Sequence, residues 1–191
     1  MHIPGKAMPL LLNALAQLGE PASVRVDILG QGPETQACRA IAHRLRLDQV
    51  VSWCGQVPRT EAVKIMARAD VLVHTSLKEG TPSVVVEALS LGLPVICHDI
   101  SGMALAVTSE CGIKIPLRNP ETSIAGFARA LESLAQDGKQ YERLSAGALA
   151  KARELTWDRK VGRFSEAYYE ATAHQRATNE GCDKPTSSTE R

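Results

Sequence analysis

A polar segment in the middle of the chain has residues suited to binding an anion. It runs from Lys78 to Glu87 and reads KEGTPSVVVE. Pro82 is suited to the first turn of a following helix, where its missing N–H loses no hydrogen bond. The N–H groups of Gly80, Thr81 and Ser83 would then lie unpaired at the positive end of the helix dipole. That arrangement favours a phosphate group.

Two glutamates flank this segment with seven residues between them. The spacing of Glu79, Ser83 and Glu87 predicts that they fall near one helical face. Glu87 stands among apolar residues, where a carboxylate needs hydrogen-bond donors, and sugar hydroxyls would serve. A helix-start acid followed by a solvated acid explains the spacing equally well.

Two other polar sites follow predicted strands. Gly30–Gly32 (GQG) precedes a helix, as a dinucleotide fingerprint does, but Thr35 replaces the third glycine and no acid ends the next strand. A tight turn and a loop lying close under a ligand both remain open there. His98 and Asp99 resemble a metal or acid–base pair, although a loop anchor is the favoured interpretation.

Alternating strand and helix patterns position these segments. The predicted helices cover residues 6–18, 34–45, 60–68, 81–91, 121–137, 140–154 and 157–172, with a short helix between the last two strands. The predicted strands cover residues 24–29, 50–53, 71–75, 95–98 and 113–116. This order is typical of an α/β domain, a Rossmann-like parallel sheet with helices on both faces. Ligands of such sheets bind beyond the carboxyl ends of the strands. We expect one lobe over residues 1–173 and a disordered polar tail over residues 174–191.

Composition excludes several functional classes. The 191 residues are 44% hydrophobic and 23% charged, the balance of a soluble globular protein. Lys and Arg total 22 against 21 Asp and Glu, and aromatic residues make up only 4%, so a dedicated nucleic-acid binder is disfavoured. The five cysteines form no CxxC pair, which favours a reducing cytoplasm over a disulfide framework or a zinc site.

The N-terminal apolar run has two interpretations. Lys6 followed by the run from Met8 to Leu18 loosely imitates a secretory signal. Asn13 and Gln17 interrupt that run, and its leucine spacing favours an amphipathic helix. No segment of the sequence has the length and apolar character of a membrane span.

The run from Ser76 to Ile96 closely resembles the donor-binding, C-terminal lobe of the family-four retaining glycosyltransferases, which have the GT-B fold. Glu79 and Glu87, with seven residues between them, match that family's signature. The resemblance covers residues 3–172. Its other matching segments are Gly30–Glu34 (the glycine loop), Gly55–Val57 (the turn facing the nucleotide base), Ala69–Val73 (the strand before the signature) and Gly112–Pro116 (the edge segment after it).

The resemblance implies a role for each matched position. Glu79 would be the catalytic residue at the donor sugar, Glu87 would hold the ribose hydroxyls, and Lys6 would bind the diphosphate. The other implied nucleotide-sugar-binding residues are Gly80, Thr81, Pro82, Ser83, Gly32 and Val57. The implied activity is glycosyl transfer from a nucleotide-diphosphate sugar with retention of configuration, in polysaccharide biosynthesis. No metal or other cofactor is implied.

Two departures from the family pattern affect the expected activity. Met1 stands where the family has an arginine five residues before the lysine, and no acceptor lobe precedes this one. We therefore expect that Met1 is not the start of the functional protein and that an N-terminal acceptor lobe is its partner. A lipid-linked acceptor would add peripheral membrane association. The alternatives are a non-catalytic nucleotide-sugar-binding module or truncated fragment, and an unrelated nucleotide-binding Rossmann domain.

Overall fold

The computed structural model describes residues 3–20 and 24–182. Its helices are α1 Ile3–Lys6, α2 Met8–Leu15, α3 Thr35–Arg44, α4 Arg59–Met66, α5 Ser83–Ser90, α6 Ser101–Ala106, α7 Pro120–Gln136, α8 Gly138–Glu154 and α9 Trp157–Cys182. Its strands are β1 Val26–Leu29, β2 Val51–Gly55, β3 Leu72–His74, β4 Val95–His98 and β5 Gly112–Ile115. Each predicted strand is therefore present, with bounds within about two residues of the prediction. Within the described ranges, no helix is long and apolar enough to cross a membrane.

The strands form two parallel ladders, a two-stranded sheet and a three-stranded sheet, where the prediction had one sheet. β1 pairs with β2, and β4 lies between β3 and β5. In the second ladder Leu72 is opposite Val95, which is opposite Gly112. Parallel strands flanked by helices confirm the predicted α/β class. Because β3, β4 and β5 are parallel, their carboxyl ends lie at the same edge of the sheet. The loops after β3 and β4 begin at this edge.

Apolar side chains pack the helices against the strands. Leu12 and Leu15 of α2, Ile96 of β4 and Phe127 of α7 are fully buried in one cluster. α2 packs against α7 and α3, while α5 and α6 contact β4. The N-terminal apolar run is thus a core helix, as its leucine spacing predicts.

The helix starts nearest the candidate site differ from the prediction. Ala7 has a left-handed backbone, with φ 46°, and separates α1 from α2, so the helix predicted over residues 6–18 is observed as α2 at Met8–Leu15. The helix predicted from residue 81 begins at Ser83, because a residue before proline is pushed away from helical geometry. Pro82 itself is extended, with ψ 141°, and stands at the N-cap rather than in the first turn.

The described residues divide into two units with the boundary between Arg153 and Glu154, where the prediction had one lobe to residue 173. The second unit contains α9, which exposes Trp157, Val161, Phe164, Tyr168 and Tyr169. The predicted tail begins at residue 174, yet α9 continues to Cys182, since Gln, Arg and Glu are good helix formers. Residues 183–191 of that tail lie outside the described residues.

Candidate functional site

The backbone of the N-terminal segment is fastened to the loop after β3. The Thr75 hydroxyl donates a hydrogen bond to the Lys6 carbonyl at 2.6 Å, across 69 residues of sequence. The Leu77 N–H donates to the Gly5 carbonyl at 2.8 Å. These two bonds fix Lys6 beyond the carboxyl end of β3.

Lys6 and Glu79 form an ion pair at this edge of the sheet. The Lys6 ammonium donates to Glu79 Oε1. The Ser76 hydroxyl donates to the same oxygen at 3.3 Å. Lys6 holds the pKa of the Glu79 carboxyl below its usual value, and Ser76 acts in the same direction. The side chains are 42% and 25% exposed, respectively, so a ligand can reach both charges.

The backbone beside Glu79 offers hydrogen-bond donors. Within the part of the chain that the structure describes, the N–H groups of Gly80, Thr81 and Ser83 meet no acceptor. Open space lies on the side of Gly80 where a β-carbon would project. α5 begins at Ser83, so its dipole adds positive potential here. An anion can approach this backbone without meeting a side chain at residue 80.

Glu87 lies further along α5 and faces Arg59 of α4. Arg59 Nη2 is 3.1 Å from Glu87 Oε1, and the Arg59 side chain is 78% exposed. An ion pair with so exposed a partner is weak, which leaves the Glu87 carboxylate accessible to a ligand. Because α5 begins only at Ser83, Glu79 lies in the preceding loop. The prediction that Glu79, Ser83 and Glu87 share one helical face is therefore wrong.

The start of α6, which follows β4, supports the loop that carries Glu79. The Gly102 N–H donates to the Glu79 carbonyl at 3.4 Å. The Thr81 hydroxyl donates to the Gly102 carbonyl at 3.3 Å. A β-carbon at residue 102 would lie 2.4 Å from the carbonyl carbon of Gly80. The close approach of these two backbones therefore requires glycine at residue 102.

Histidines end both β3 and β4. His74 is 8% exposed, and its Nδ1 has no hydrogen-bond partner among the described residues. Burial lowers the pKa of His74 to about 4, and nearby Lys6 adds to that effect. His98 is fully buried, and burial also lowers its pKa. Both imidazoles are consequently neutral at pH 7.

The environment of His98 and Asp99 favours an anchor. His98 lies against the Ser76 carbonyl and the Ser123 hydroxyl. Asp99 Oδ1 is 2.9 Å from Lys114 Nζ, and the two side chains form an ion pair. Across residues 3–20 and 24–182, no cluster of three or more His, Cys, Asp or Glu side chains is arranged to hold a metal ion.

The glycine loop forms a tight turn after β1. Gly30 has φ 98° and donates its N–H to the Gly55 carbonyl at 2.6 Å. The Gly32 N–H donates to Thr35 Oγ1 at 2.9 Å, so Thr35 closes the turn where the fingerprint has a third glycine. An open depression of about 450 Å³ lies over this turn, so the interpretation with a ligand close above the loop also stays open. It is lined by Gln31, Gly32, Thr35, Gln36 and Arg39.

The structure brings some predicted residues together and leaves others apart. Lys6 contacts Glu79, with the backbone of Gly80 and Thr81 adjacent in the same loop. Gly32 lies after β1, and half-buried Val57 lies after β2. Within the described residues, neither hydrogen-bonds to Lys6, Glu79 or Glu87.

Sequence analysis missed several polar partners of the site. They are Arg59, His74, Thr75, Gly102 and Ser123. A polar residue that ends an otherwise apolar strand was an available signal for His74. Nothing in the sequence alone pairs Arg59 with Glu87, because that contact depends on how two helices pack.

Comparison with known proteins places the chain among glycosyltransferases. Residues 3–151 match the family described as "Glycosyl transferases group 1". The D-inositol 3-phosphate glycosyltransferase of Streptomyces bingchenggensis (strain BCW-1) is 31% identical over 180 residues, a match covering 88% of this chain and 38% of the relative. A relative of the same name from Thermomonospora curvata is 31% identical over 190 residues, covering 93% and 43% of the two chains, respectively. This chain thus spans about two fifths of the length of these curated relatives.

Solved structures agree on the fold. Anabaena Alr3699/HepE in complex with UDP and glucose superimposes with a TM-score of 0.73 at 22% identity, over 90% of this chain and 46% of that one. WaaG, a glycosyltransferase involved in lipopolysaccharide biosynthesis, gives a TM-score of 0.68 at 24% identity, over 78% and 39%. These likenesses show the α/β fold of GT-B glycosyltransferases. Because the family match extends over residues 3–151, this chain belongs to the group 1 glycosyltransferases.

Proposed function

We propose that this chain binds a nucleotide-diphosphate sugar and supplies the donor-binding half of a glycosyl transfer that retains anomeric configuration. One observation carries the proposal. Lys6 and Glu79 meet beyond the carboxyl end of β3, beside N–H groups of Gly80 and Thr81 that have no acceptor in the described part of the chain. A cation, free backbone donors and a carboxylate suit a ligand that is anionic at one end and rich in hydroxyls at the other.

In this proposal the diphosphate binds between Lys6 and the start of α5. The Lys6 ammonium and the N–H groups of Gly80 and Thr81 bind its oxygens, and the dipole of α5 adds to the attraction. The donor separates Lys6 from Glu79 when it binds. Both side chains are partly exposed, so giving up their ion pair costs little free energy.

Once Lys6 has moved to the diphosphate, the Glu79 carboxylate is free to contact the reacting sugar. It accepts hydrogen bonds from sugar hydroxyls and fixes the sugar relative to the diphosphate. Lys6 and the backbone donors stabilise the negative charge that grows on the diphosphate as it leaves. Stabilisation by groups already in place is generally a large part of enzymatic rate enhancement.

The remaining residues bind the nucleotide. Glu87 accepts hydrogen bonds from the ribose hydroxyls. The nucleotide sugar takes the place of the exposed Arg59 side chain, which pairs with Glu87 in the free chain. Pro82 and Ser83 shape the start of α5, Gly32 contributes its open loop, and Val57 lies beside the base. The likeness to HepE, which was solved in complex with UDP and glucose, supports a nucleotide sugar as the ligand class.

The acceptor side belongs to a second lobe in this proposal. The relatives named D-inositol 3-phosphate glycosyltransferase, of which this chain spans about two fifths, support transfer to a hydroxylated acceptor. WaaG, named for lipopolysaccharide biosynthesis, supports a role in polysaccharide assembly. We place the reaction in the cytoplasm, with peripheral membrane contact where the acceptor is lipid-linked.

Calorimetric titration with UDP-glucose, GDP-mannose and ADP-glucose tests the proposed donor class. At least one of them should bind the wild-type chain, and Lys6→Met should weaken that binding about tenfold or more, since it removes a charge-assisted bond. Lys64→Met is the matched control, because Lys64 pairs only with Glu61 on α4 in the described structure. Equal affinities for wild type and Lys6→Met, or no binding to the folded chain, would contradict the proposal.

A further inference from the structure

A buried histidine connects three elements of the fold at the candidate site. His98 ends β4 and is fully buried. Its Nδ1 lies 3.3 Å from the Ser76 carbonyl in the loop after β3. Its Nε2 lies 3.0 Å from the Ser123 hydroxyl on α7. The imidazole thus spans from a core helix to the loop that precedes Glu79.

The partners of the ring determine its tautomer. A carbonyl oxygen can only accept, so Nδ1 carries the proton and donates it to Ser76. The neutral ring then accepts from the Ser123 hydroxyl at Nε2. Burial favours this neutral form by lowering the pKa of His98.

The far end of this connection is rigidly held. The Asn119 side chain caps α7 by accepting from the Thr122 N–H at 2.8 Å, directly before Ser123. The Phe127 ring, one turn further on, meets the His98 ring edge-on with centroids 5.0 Å apart. The imidazole therefore has a fixed helix on one side and the Ser76 carbonyl on the other.

On the other side of the imidazole, Ser76 connects His98 to the Glu79 carboxylate. Ser76 is 2% exposed, and its hydroxyl donates to Glu79 Oε1 at 3.3 Å. We propose that His98 is a positioning residue that orients Glu79 through Ser76. This inference rests on the proposed function, in which Glu79 contacts the donor sugar. His98 itself touches no substrate.

Two amide substitutions at residue 98 test the two hydrogen bonds of the imidazole one at a time. Asparagine at residue 98 places an N–H near the position of Nδ1, so His98→Asn keeps the bond to Ser76. Glutamine reaches the position of Nε2, so His98→Gln keeps the bond to Ser123 and loses Ser76. Ser76→Ala removes the last link directly, and a small buried serine is readily replaced by alanine.

The carboxyl carbon of Glu79, followed by NMR through an acid titration, reports its orientation without any donor. Lys6 and His74 also act on this carboxyl and are the same in every variant. The pKa of Glu79 should rise in His98→Gln and in Ser76→Ala, and should stay at the wild-type value in His98→Asn. Thermal melting establishes that each variant is folded. If Glu79 keeps its wild-type pKa in folded Ser76→Ala, Ser76 does not act on Glu79 and the inference is overturned. If the pKa of Glu79 changes equally in His98→Gln and His98→Asn, the bond from His98 to Ser76 has no role and the inference is overturned as well.

Calorimetry with UDP and UDP-glucose adds a second readout. A positioning role predicts that the preference for UDP-glucose over UDP falls about two- to tenfold in His98→Gln, the effect of one lost hydrogen bond, and persists in His98→Asn. A general structural defect would weaken both ligands equally and would contradict the inference. If the wild type binds neither ligand, the proposed function fails for this donor, while the NMR titration still decides the role of His98.

Discussion

Gly102 lies so close to the backbone of Gly80 that a side chain at residue 102 would have no room. A β-carbon at residue 102 would lie 2.4 Å from the Gly80 carbonyl carbon and 2.5 Å from the Thr81 nitrogen. The start of α6 therefore supports the loop whose N–H groups face the candidate anion site. The geometry of that loop therefore depends on the close packing of α6 against it.

Gly102→Ala should destabilise the protein, although alanine is the better helix former by about 1 kcal/mol. The clash with Gly80 and Thr81 should dominate and lower the free energy of unfolding by about 1–3 kcal/mol. Chemical denaturation measures this change. Gly138→Ala, where no atom lies within 4 Å, is the control and should be neutral or stabilising by about 0.4–1 kcal/mol. A Gly102→Ala protein more stable than wild type would show that the two backbones are not in tight contact.

The order of elements was predictable because each strand carries its own local signal. β4 is apolar through Cys97 and follows Gly92 and Pro94, and its predicted bounds agree with the structure. The helix boundaries near the site were less predictable. Ala7 adopts a left-handed backbone that its residue type does not signal, and Pro82 delays the start of α5 by keeping Thr81 out of the helix.

Glu87→Ala should weaken binding of a nucleotide sugar by about 1.5–3 kcal/mol, the range for hydrogen bonds to a charged group. Arg59→Ala is the matched control, because it removes the other half of the same ion pair. In the proposed complex Arg59 is displaced, so its loss should leave affinity unchanged or slightly improved. Calorimetry on both variants measures the difference. If Arg59→Ala weakens binding as much as Glu87→Ala, Arg59 contacts the donor itself and the proposed role of Glu87 is wrong.

Stability should depend on pH through His74. Its folded-state pKa is about 4, against 6.5 for the free side chain, so the unfolded chain binds more protons between these values. The free energy of unfolding should therefore fall by roughly 3 kcal/mol as the pH drops from 6.5 to 4. His74→Leu should lose correspondingly less over this window. The contribution of His98 has the same sign but is common to both proteins.

Urea denaturation of wild type and His74→Leu at several pH values measures this contribution. The two curves should converge with falling pH if His74→Leu is the less stable protein at pH 7, and diverge if it is the more stable. Parallel curves from pH 7 to pH 4 would show that His74 titrates normally in the folded protein.

Glu79→Gln separates binding from transfer in a complete enzyme that contains this lobe. The amide keeps the size of the side chain and part of its hydrogen bonding, but loses the charge at the reacting sugar. We expect kcat to fall more than donor affinity does. Steady-state kinetics and calorimetry on one preparation provide the two values. Equal losses would show that Glu79 contributes only to binding.

The composition of the site was easier to predict than its geometry. The N–H groups at the start of α5 follow from local sequence, because glycine and proline there leave no local acceptor. The Lys6–Glu79 pair joins residues 73 apart, and it depends on backbone bonds from Thr75 and Leu77 to the N-terminal segment. Such a contact depends on the packing of the whole sheet, so periodicity and spacing do not reveal it.

The most direct test of the donor site is an NMR titration of the isotopically labelled chain with the nucleotide sugar that binds it most tightly. The account predicts that the backbone amides of Gly80, Thr81 and Ser83 shift most, with the Lys6 and Glu87 signals changing in parallel, and that Glu87→Ala reduces these shifts at equal ligand concentration. Shifts confined to α9, or no shifts at Gly80 and Thr81 at saturating ligand, would contradict it.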